Sequence, residues 1–544
     1  MIINGKDITT PPRKADVCVI GSGPAGITAA WELSQAGLDV ILLDGGRQLN
    51  YSQPGYYTRS WPDKLKLYAG KTQGVFSPTY EPNPSFLIRP NNGAGLRNPS
   101  ERERVYGGTS THWGGQSRPL DSIAFEKRDG MTPDGKKIPD AFPGWQITRQ
   151  DLDPYYAQAI TFNHFFGPYF DENGKNGGVN FTPEFWASEM QKQGLEAAVP
   201  HLNGFNAEMY QFMGEKWKRF ATRPFDGKPI GDSKVRVIVN ATLLDMVEQG
   251  GSVQHLKVAS LKDDYPERPM EPKELQKATE FTVSADVYIL ACGAVANARQ
   301  LLLTDFGKRN DLVGRYFMCH PLTQNGVVTI QRADYLSQPE QNLMAGGIWN
   351  DPRNVKWKDP RGDDGIGGIT GRFTIDEKTA RDEGIGCCWF WPNGGQMYFE
   401  MAPNYNSRVT LDTTQKDVFG RDLTCVNWEF TDVDQRTYER NCCLFNEASG
   451  DPGIISWQSW DEIKDEWTIN GHHIGTTRMS ASATEGVVDK NLKFHGVNNL
   501  YVAGSSVFPT AGISNPTMTI ITLSIRLAEH LRAQMPRAKA AKAQ

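Results

Sequence analysis

Four apolar residues, Val17-Cys18-Val19-Ile20, run into three glycines spaced G-x-G-x-x-G, namely Gly21, Gly23 and Gly26. A helical apolar pattern follows from Ile27 to Leu33. Strand, tight turn and helix start in this order predict the opening of a dinucleotide-binding βαβ unit. Gly21 permits the turn, Gly23 lets backbone approach a pyrophosphate, and Gly26 lets helix and strand pack closely. The helix N-terminus offers its unpaired N–H groups and positive dipole end to the phosphates. A second apolar run, Val40-Ile41-Leu42-Leu43, ends in Asp44, eighteen residues past Gly26. An acid at that distance takes the hydroxyls of an adenosine ribose. The motif by itself leaves FAD and NAD open.

A chain of 544 residues has room for two or more domains, or for one large core with a second lobe. Its net charge of −5 argues against a general binder of nucleic acid or anionic membranes. No stretch approaches the roughly 18 apolar residues of a spanning helix. The first residues are polar and lack the apolar core of a signal peptide, which predicts a cytoplasmic protein. The eight cysteines include no C-x-x-C pair, and no metal site is expected.

Further strands are predicted over 235–244, 285–291 and 499–503, with helices after 294 and from 517 to about 533. These elements return the chain to the first sheet. Short strand-like runs at 326–330, 396–400 and 408–411 predict an antiparallel sheet between 322 and 466. Trp349, Trp357, Trp389, Phe390 and Trp391 lie among them, as core or as an aromatic inner face. Residues 166–232 mix Gly, Pro and aromatics around one helical stretch near 182–199. Residues 48–105, with Tyr51, Tyr56, Tyr57, Trp61 and Tyr68, read as a lid, an interface arm or a surface loop. At 107–115, four glycines surround Thr109, Ser110, His112 and Trp113, which suits backbone lying against a flat ligand. His112 there is a core residue, a polar contact or a nucleophile toward a cofactor.

Taken in order, these segments resemble the glucose–methanol–choline (GMC) family of FAD-dependent oxidoreductases. The likeness rests on the N-terminal glycines with Asp44, on 107–115, and on Gly144-Trp145-Gln146-Ile147-Thr148 with Asp153-Pro154-Tyr155-Tyr156. It continues through 312–318 with His320-Pro321, Asn406-Ser407-Arg408-Val409-Thr410-Leu411, 471–479, 506–510 and 515–519. The resemblance implies FAD and a mixed α/β fold with an antiparallel sheet. In that fold a discontinuous Rossmann-like FAD-binding domain (1–165, 233–320 and 467–544) carries an inserted substrate-binding lobe (166–232 and 321–466). It implies cofactor contacts from Gly21, Gly23, Pro24, Ala25, Gly26 and Asp44, and from Gly108, Thr109, Ser110, His112 and Trp113. Leu243, Ala291, Gly504, Ser505, Asn515 and Thr517 complete that set. The segment around His112 is most similar to pyranose oxidases and the fructose dehydrogenase type, where the histidine bonds to the flavin 8-methyl carbon. Other members hold the flavin non-covalently, so both states stay open.

The family base lies in a His-x-x-Gly-Thr motif, matched here by His472, with Gly475 and Thr476 following. His473, its neighbour, points the other way if the segment is extended. The second catalytic position matches Asn515, whose amide can donate to a developing alkoxide. The helix beginning near Thr517 would bring its positive end to the flavin. His320 is expected to be structural, as are His164, His201, His255, His495 and His530. The implied activity is oxidation of a sugar or glycoside alcohol, reoxidised by O2. A dehydrogenase passing electrons to a quinone or cytochrome, with an accessory subunit able to carry it to the periplasm, is the first alternative. A GMC-fold lyase or non-redox flavin-binding protein is the second. A homo-oligomer is compatible with each reading.

Overall fold

The computed structural model describes residues 2–46, 48, 86–88, 104–111, 113–165, 181–262, 277–322, 328–330, 335–345, 366–391, 396–417, 419–450, 454–464, 467 and 471–535. Tyr51, Tyr56, Tyr57, Trp61, Tyr68, His112, Trp349 and Trp357 lie outside the described residues. The apolar runs assemble a six-stranded parallel sheet from distant parts of the chain. Its strands and flanking helices are β1 (Ile2–Asn4), β2 (Ala15–Ile20), α1 (Pro24–Gln35), β3 (Val40–Leu43), β4 (Arg236–Val239), β5 (Ala285–Leu290), α2 (Ala294–Leu302), β6 (Leu500–Val502) and α3 (Thr517–Gln534). The strand order is β1-β4-β3-β2-β5-β6, with every pairing parallel. Burial on both faces explains why β2 and β3 read as unbroken apolar runs rather than alternating ones. α1, α3 and the helix Arg149–Phe162 pack together. The last of these starts at Thr148, whose hydroxyl accepts from Asp151 N–H while Asp151 caps in return.

A second, antiparallel sheet of five strands runs Gln396–Phe399, Cys388–Trp391, Ile366–Ile375, Phe205–Met213, Gln116–Ser117. Three features of this region depart from the sequence reading. Phe205–Met213 is a nine-residue strand where only a helix was expected within 166–232. The helix itself is shorter than 182–199, covering Pro183–Lys192. The sheet expected across 322–466 is also interrupted by an 18-residue helix, Asp432–Ser449. Thr431 and Asp434 form its capping box, and Gly450 ends it in the left-handed conformation. Its Phe445 ring plugs onto the sheet, 4.6 Å from Phe390, 5.2 Å from Phe205 and 5.8 Å from Phe373. The predicted runs at 326–330, 396–400 and 408–411 correspond to Val328–Ile330, Gln396–Phe399 and Arg408–Lys416, but these strands lie in three different sheets rather than one. The predicted strand 235–244 divides: Arg236–Val239 is β4 of the parallel sheet, and Thr242–Gln249 opens a separate three-stranded meander with Ser252–Leu261 and Lys277–Val283.

Two peptide hydrogen bonds tie the loop after residue 314 to the segment containing the histidine pair. Met318 N–H donates to Ile474 O at 3.0 Å, and Ile474 N–H donates to Met318 O at 2.9 Å. Gly475, at φ +92°, then turns the chain so tightly that a Cβ would lie 2.2 Å from Tyr316 O. Among the described residues, no helix is long and apolar enough to cross a membrane.

Candidate active site

A cavity of about 710 Å³ opens where the first glycine turn meets the starts of α1, α2 and α3. Its shape follows from the glycines. At Gly21 (φ +102°) a Cβ would lie 2.5 Å from Ala291 O, so the turn lies flush on β5. Gly26 is a packing residue rather than part of the wall, since its Cβ would lie 1.8 Å from Gly21 O. Gly23 is the opposite case: a Cβ there would meet no protein atom within 4 Å. The same holds at Gly114, Gly293 and Gly504, all on the cavity wall. Bare backbone therefore faces the cavity from four separate segments. The helix starts at Pro24-Ala25, Ala294-Val295 and Thr517 add unsatisfied N–H groups and positive dipole ends. This cradle fits the pyrophosphate of a dinucleotide such as FAD.

Asp44 lies on the wall, 7 % exposed. Its Oδ2 accepts from Ser22 N–H at 2.8 Å and Ser22 Oγ at 2.5 Å, and its Oδ1 accepts from Gly46 N–H at 2.7 Å. Burial pushes this carboxyl up from its ordinary value, against the pull of those hydrogen bonds. Asp44 thus braces the glycine turn as well as lining the cavity. Ser22 Oγ in turn accepts from Gly107 N–H at 2.8 Å, which locks the 107–115 segment to the same turn. Gly108, Thr109, Ser110 and Trp113 line the cavity, and the Trp113 indole donates to Lys218 O at 2.7 Å. Leu243, Ala291, Gly504 and Ser505 lie on the wall as well.

Asn297, fully buried, fastens the far side. Its Oδ1 accepts from Cys292 N–H at 2.8 Å, and its Nδ2 donates to Ala503 O at 2.9 Å and Ser506 Oγ at 3.0 Å. Asn297→Ala strands those partners, at a cost of about 1–3 kcal/mol for a buried group left unsatisfied. Thermal melting should show a lowered midpoint together with weakened FAD retention; an unchanged midpoint would remove this role.

His472, His473 and Asn515 share the cavity wall. His472 Nε2 lies 3.1 Å from Asn515 Nδ2, and its Nδ1 lies 2.9 Å from His320 Nδ1. Burial, then the neighbouring His320 and His473, hold His472 well below the ordinary imidazole value, so the ring is neutral at pH 7. A neutral imidazole beside a carboxamide can take a proton and then donate it back. His473 packs against Phe317, with ring centroids 5.6 Å apart, and its carbonyl accepts from Ser505 Oγ at 2.6 Å. Tyr398 adds an aromatic wall, its ring 6.2 Å from that of His472 and stacked on Trp389 at 4.3 Å.

Sequence reading did not find Arg104, Thr242, Tyr398 or the start of α2 on this wall. The small-residue turn after β5 was the available signal for α2. Arg104 Nη2 donates to Thr242 Oγ1 at 2.5 Å.

Comparison with known proteins bears on the whole chain. Residues 404–524 match the family model described as GMC oxidoreductase, and residues 16–61 match that described as FAD dependent oxidoreductase. A 2-methyl-1,2-propanediol dehydrogenase of Mycolicibacterium austroafricanum is 23% identical, over 96% of this chain and 96% of its own. The fructose dehydrogenase large subunit of Gluconobacter japonicus is 22% identical over 95% and 97%. A C-glycoside 3-oxidase of Arthrobacter globiformis is 24% identical over 49% and 50%. Among solved structures, a formate oxidase superposes with a TM-score of 0.58 at 15% identity, covering 97% of this chain and 99% of its own.

Proposed function

The chain belongs to the GMC oxidoreductase family and is an FAD-dependent enzyme acting on CH–OH groups; from that premise we propose that it oxidises a secondary alcohol of a sugar or glycoside to a ketone. The observation that carries this reading is the pair His472 Nε2 and Asn515 Nδ2, 3.1 Å apart on the wall that also holds the glycine cradle. FAD, when bound, would supply the two-electron acceptor for the carbinol hydride, with O2 as the final oxidant. His472 Nε2 accepts the hydroxyl proton as the C–H bond breaks. Without substrate an Asn515 N–H occupies the Nε2 lone pair; transferred to the substrate oxygen as that oxygen gains charge, it leaves Nε2 open to the hydroxyl proton. Tyr398, backed by Trp389, offers a ring face to a sugar. The names of the fructose dehydrogenase and the C-glycoside 3-oxidase support a carbohydrate. We assign 1–165, 233–320 and 467–544 to FAD binding, and 166–232 with 321–466 to the substrate lobe.

Anaerobic mixing of the purified holoenzyme with a panel of sugars and glycosides tests the proposal. At least one should bleach the visible flavin band; a panel that bleaches none overturns it. Hydrogen peroxide on re-aeration is expected if O2 is the acceptor. The second reading is a dehydrogenase passing electrons to a quinone or cytochrome with an accessory subunit, favoured by two relatives named dehydrogenases that align over 95% or more of this chain. It predicts bleaching without peroxide. For His112 we propose a covalent bond to the flavin, in which case acid-precipitated protein keeps its yellow colour in the pellet. Colour released entirely to the supernatant excludes the bond.

A further inference from the structure

We propose that His320 is a positioning residue that holds His472 in the tautomer carrying its proton on Nδ1, leaving Nε2 bare toward Asn515 and the cavity. Its consequence for catalysis rests on the reading of His472 as the base.

The proton positions follow from one carbonyl. His320 Nε2 lies 2.8 Å from Gly512 O, and a carbonyl oxygen only accepts, so Nε2 carries the hydrogen. His320 is 1 % exposed, and burial lowers its pKa to about 4 against the opposing Gly512 bond, Glu400 charge and Ala511 backbone bond, so the ring is neutral. A neutral imidazole has one N–H, which leaves Nδ1 as an acceptor. The 2.9 Å contact between the two Nδ1 atoms then needs its hydrogen on His472. His472, itself neutral, is left with a lone pair on Nε2, where Asn515 Nδ2–H donates at 3.1 Å. The order Gly512, His320, His472, Asn515 admits one set of tautomers.

The fold builds this order deliberately. Met318 and Ile474 exchange both peptide hydrogen bonds in an antiparallel bridge. Two residues onward on one segment and two back on the other, His320 stands opposite His472 on the same face. Gly512 is pinned behind them: its N–H donates to Glu400 Oε1 at 3.0 Å, and its φ of +58° aims the carbonyl. Glu400 is ion-paired with Arg128. Glu400, Asn515, His473, Tyr398 and the backbone of Ala511 and Gly512 also act on the two imidazoles.

The test uses holoenzyme labelled with ¹⁵N-histidine, as wild type, His320→Leu and His320→Gln. Two-bond ¹H–¹⁵N spectra read the tautomer of His472. Glutamine can accept from Nδ1–H with Oε1 and donate to Gly512 O with Nε2; leucine can do neither. Wild type and His320→Gln should show the Nδ1–H form, and His320→Leu should lose it. The substrate-driven reduction rate should fall about 10²- to 10⁴-fold in His320→Leu, as when a catalytic imidazole is left in the wrong tautomer, and recover to within about tenfold in His320→Gln. Flavin content equal to wild type certifies the fold. An Nε2–H signal for wild-type His472 overturns the proposal even if the leucine variant does not fold. So does a leucine variant that keeps both tautomer and rate. If His472→Ala reduces flavin normally, the base assignment fails instead, and the tautomer result stands on its own.

Discussion

His472→Ala should slow substrate-driven flavin reduction by about two to four decades while leaving FAD bound. On the proposed mechanism the loss falls on chemistry, because the imidazole takes the hydroxyl proton and alanine supplies no acceptor. Binding is spared because the cradle is made elsewhere, by backbone at Gly23, Gly293 and Gly504 and by three helix starts. The pH dependence has a defined sign. The neutral imidazole is the active form, and burial with two neighbouring histidines has moved its protonation well below the ordinary imidazole range. In wild type, kcat/KM is therefore expected to stay flat as pH falls through about 6.5 and to drop only at more acidic values. Anaerobic stopped-flow measurement across pH reads both. A rate unchanged in His472→Ala would move the base to His473 or beyond.

The largest effect on stability is expected at Glu400. This carboxylate is 0 % exposed and holds three donors: the Arg128 guanidinium, Cys387 N–H at 3.1 Å and Gly512 N–H at 3.0 Å. Arg128 is itself buried, stacks 3.6 Å from the Phe142 centroid and donates to Ile385 O at 2.6 Å. Glu400→Ala leaves a buried cation without its counter-ion, a change that costs about 3–5 kcal/mol. Two orphaned peptide N–H groups add to the cost. The thermal midpoint should fall by several degrees. The double variant Arg128→Met with Glu400→Leu should recover most of the loss, because the penalty lies in the unpaired charge rather than in the volume. A midpoint within a degree of wild type in Glu400→Ala would refute the assignment. Because Glu400 also holds Gly512, the same variant is expected to loosen the carbonyl that anchors His320.

How much was legible differed by element. β2, the glycine turn and α1 announce themselves because each step is local: an apolar run, a turn that only glycine fits, and a helix start with proline at its first position. Phe205–Met213 gave no such signal. It lies in the interior of its sheet, paired on both sides, and carries large side chains on both faces, so the alternation that marks a half-buried strand is blurred. The helix Asp432–Ser449 does carry a signature, with Thr431 and Asp434 in register and Val433, Thr437, Tyr438, Asn441, Cys442 and Phe445 buried at helical spacing. It stands among short strand-like runs, which draw the whole stretch toward a sheet.

The sequence by itself determined the glycine turn and the acid at the end of the second strand, because turn sterics are a local property, and its motifs pointed to His472 and Asn515 through the family resemblance. Only the tertiary structure decided that His320 faces His472 and that Asp44 braces the glycine turn through Ser22 and Gly46. The first depends on a peptide bridge between Met318 and Ile474 and on a buried carboxylate at residue 400. Contacts between segments so far apart in the chain are set by the closure of long loops around a common core, which leaves no trace in local periodicity.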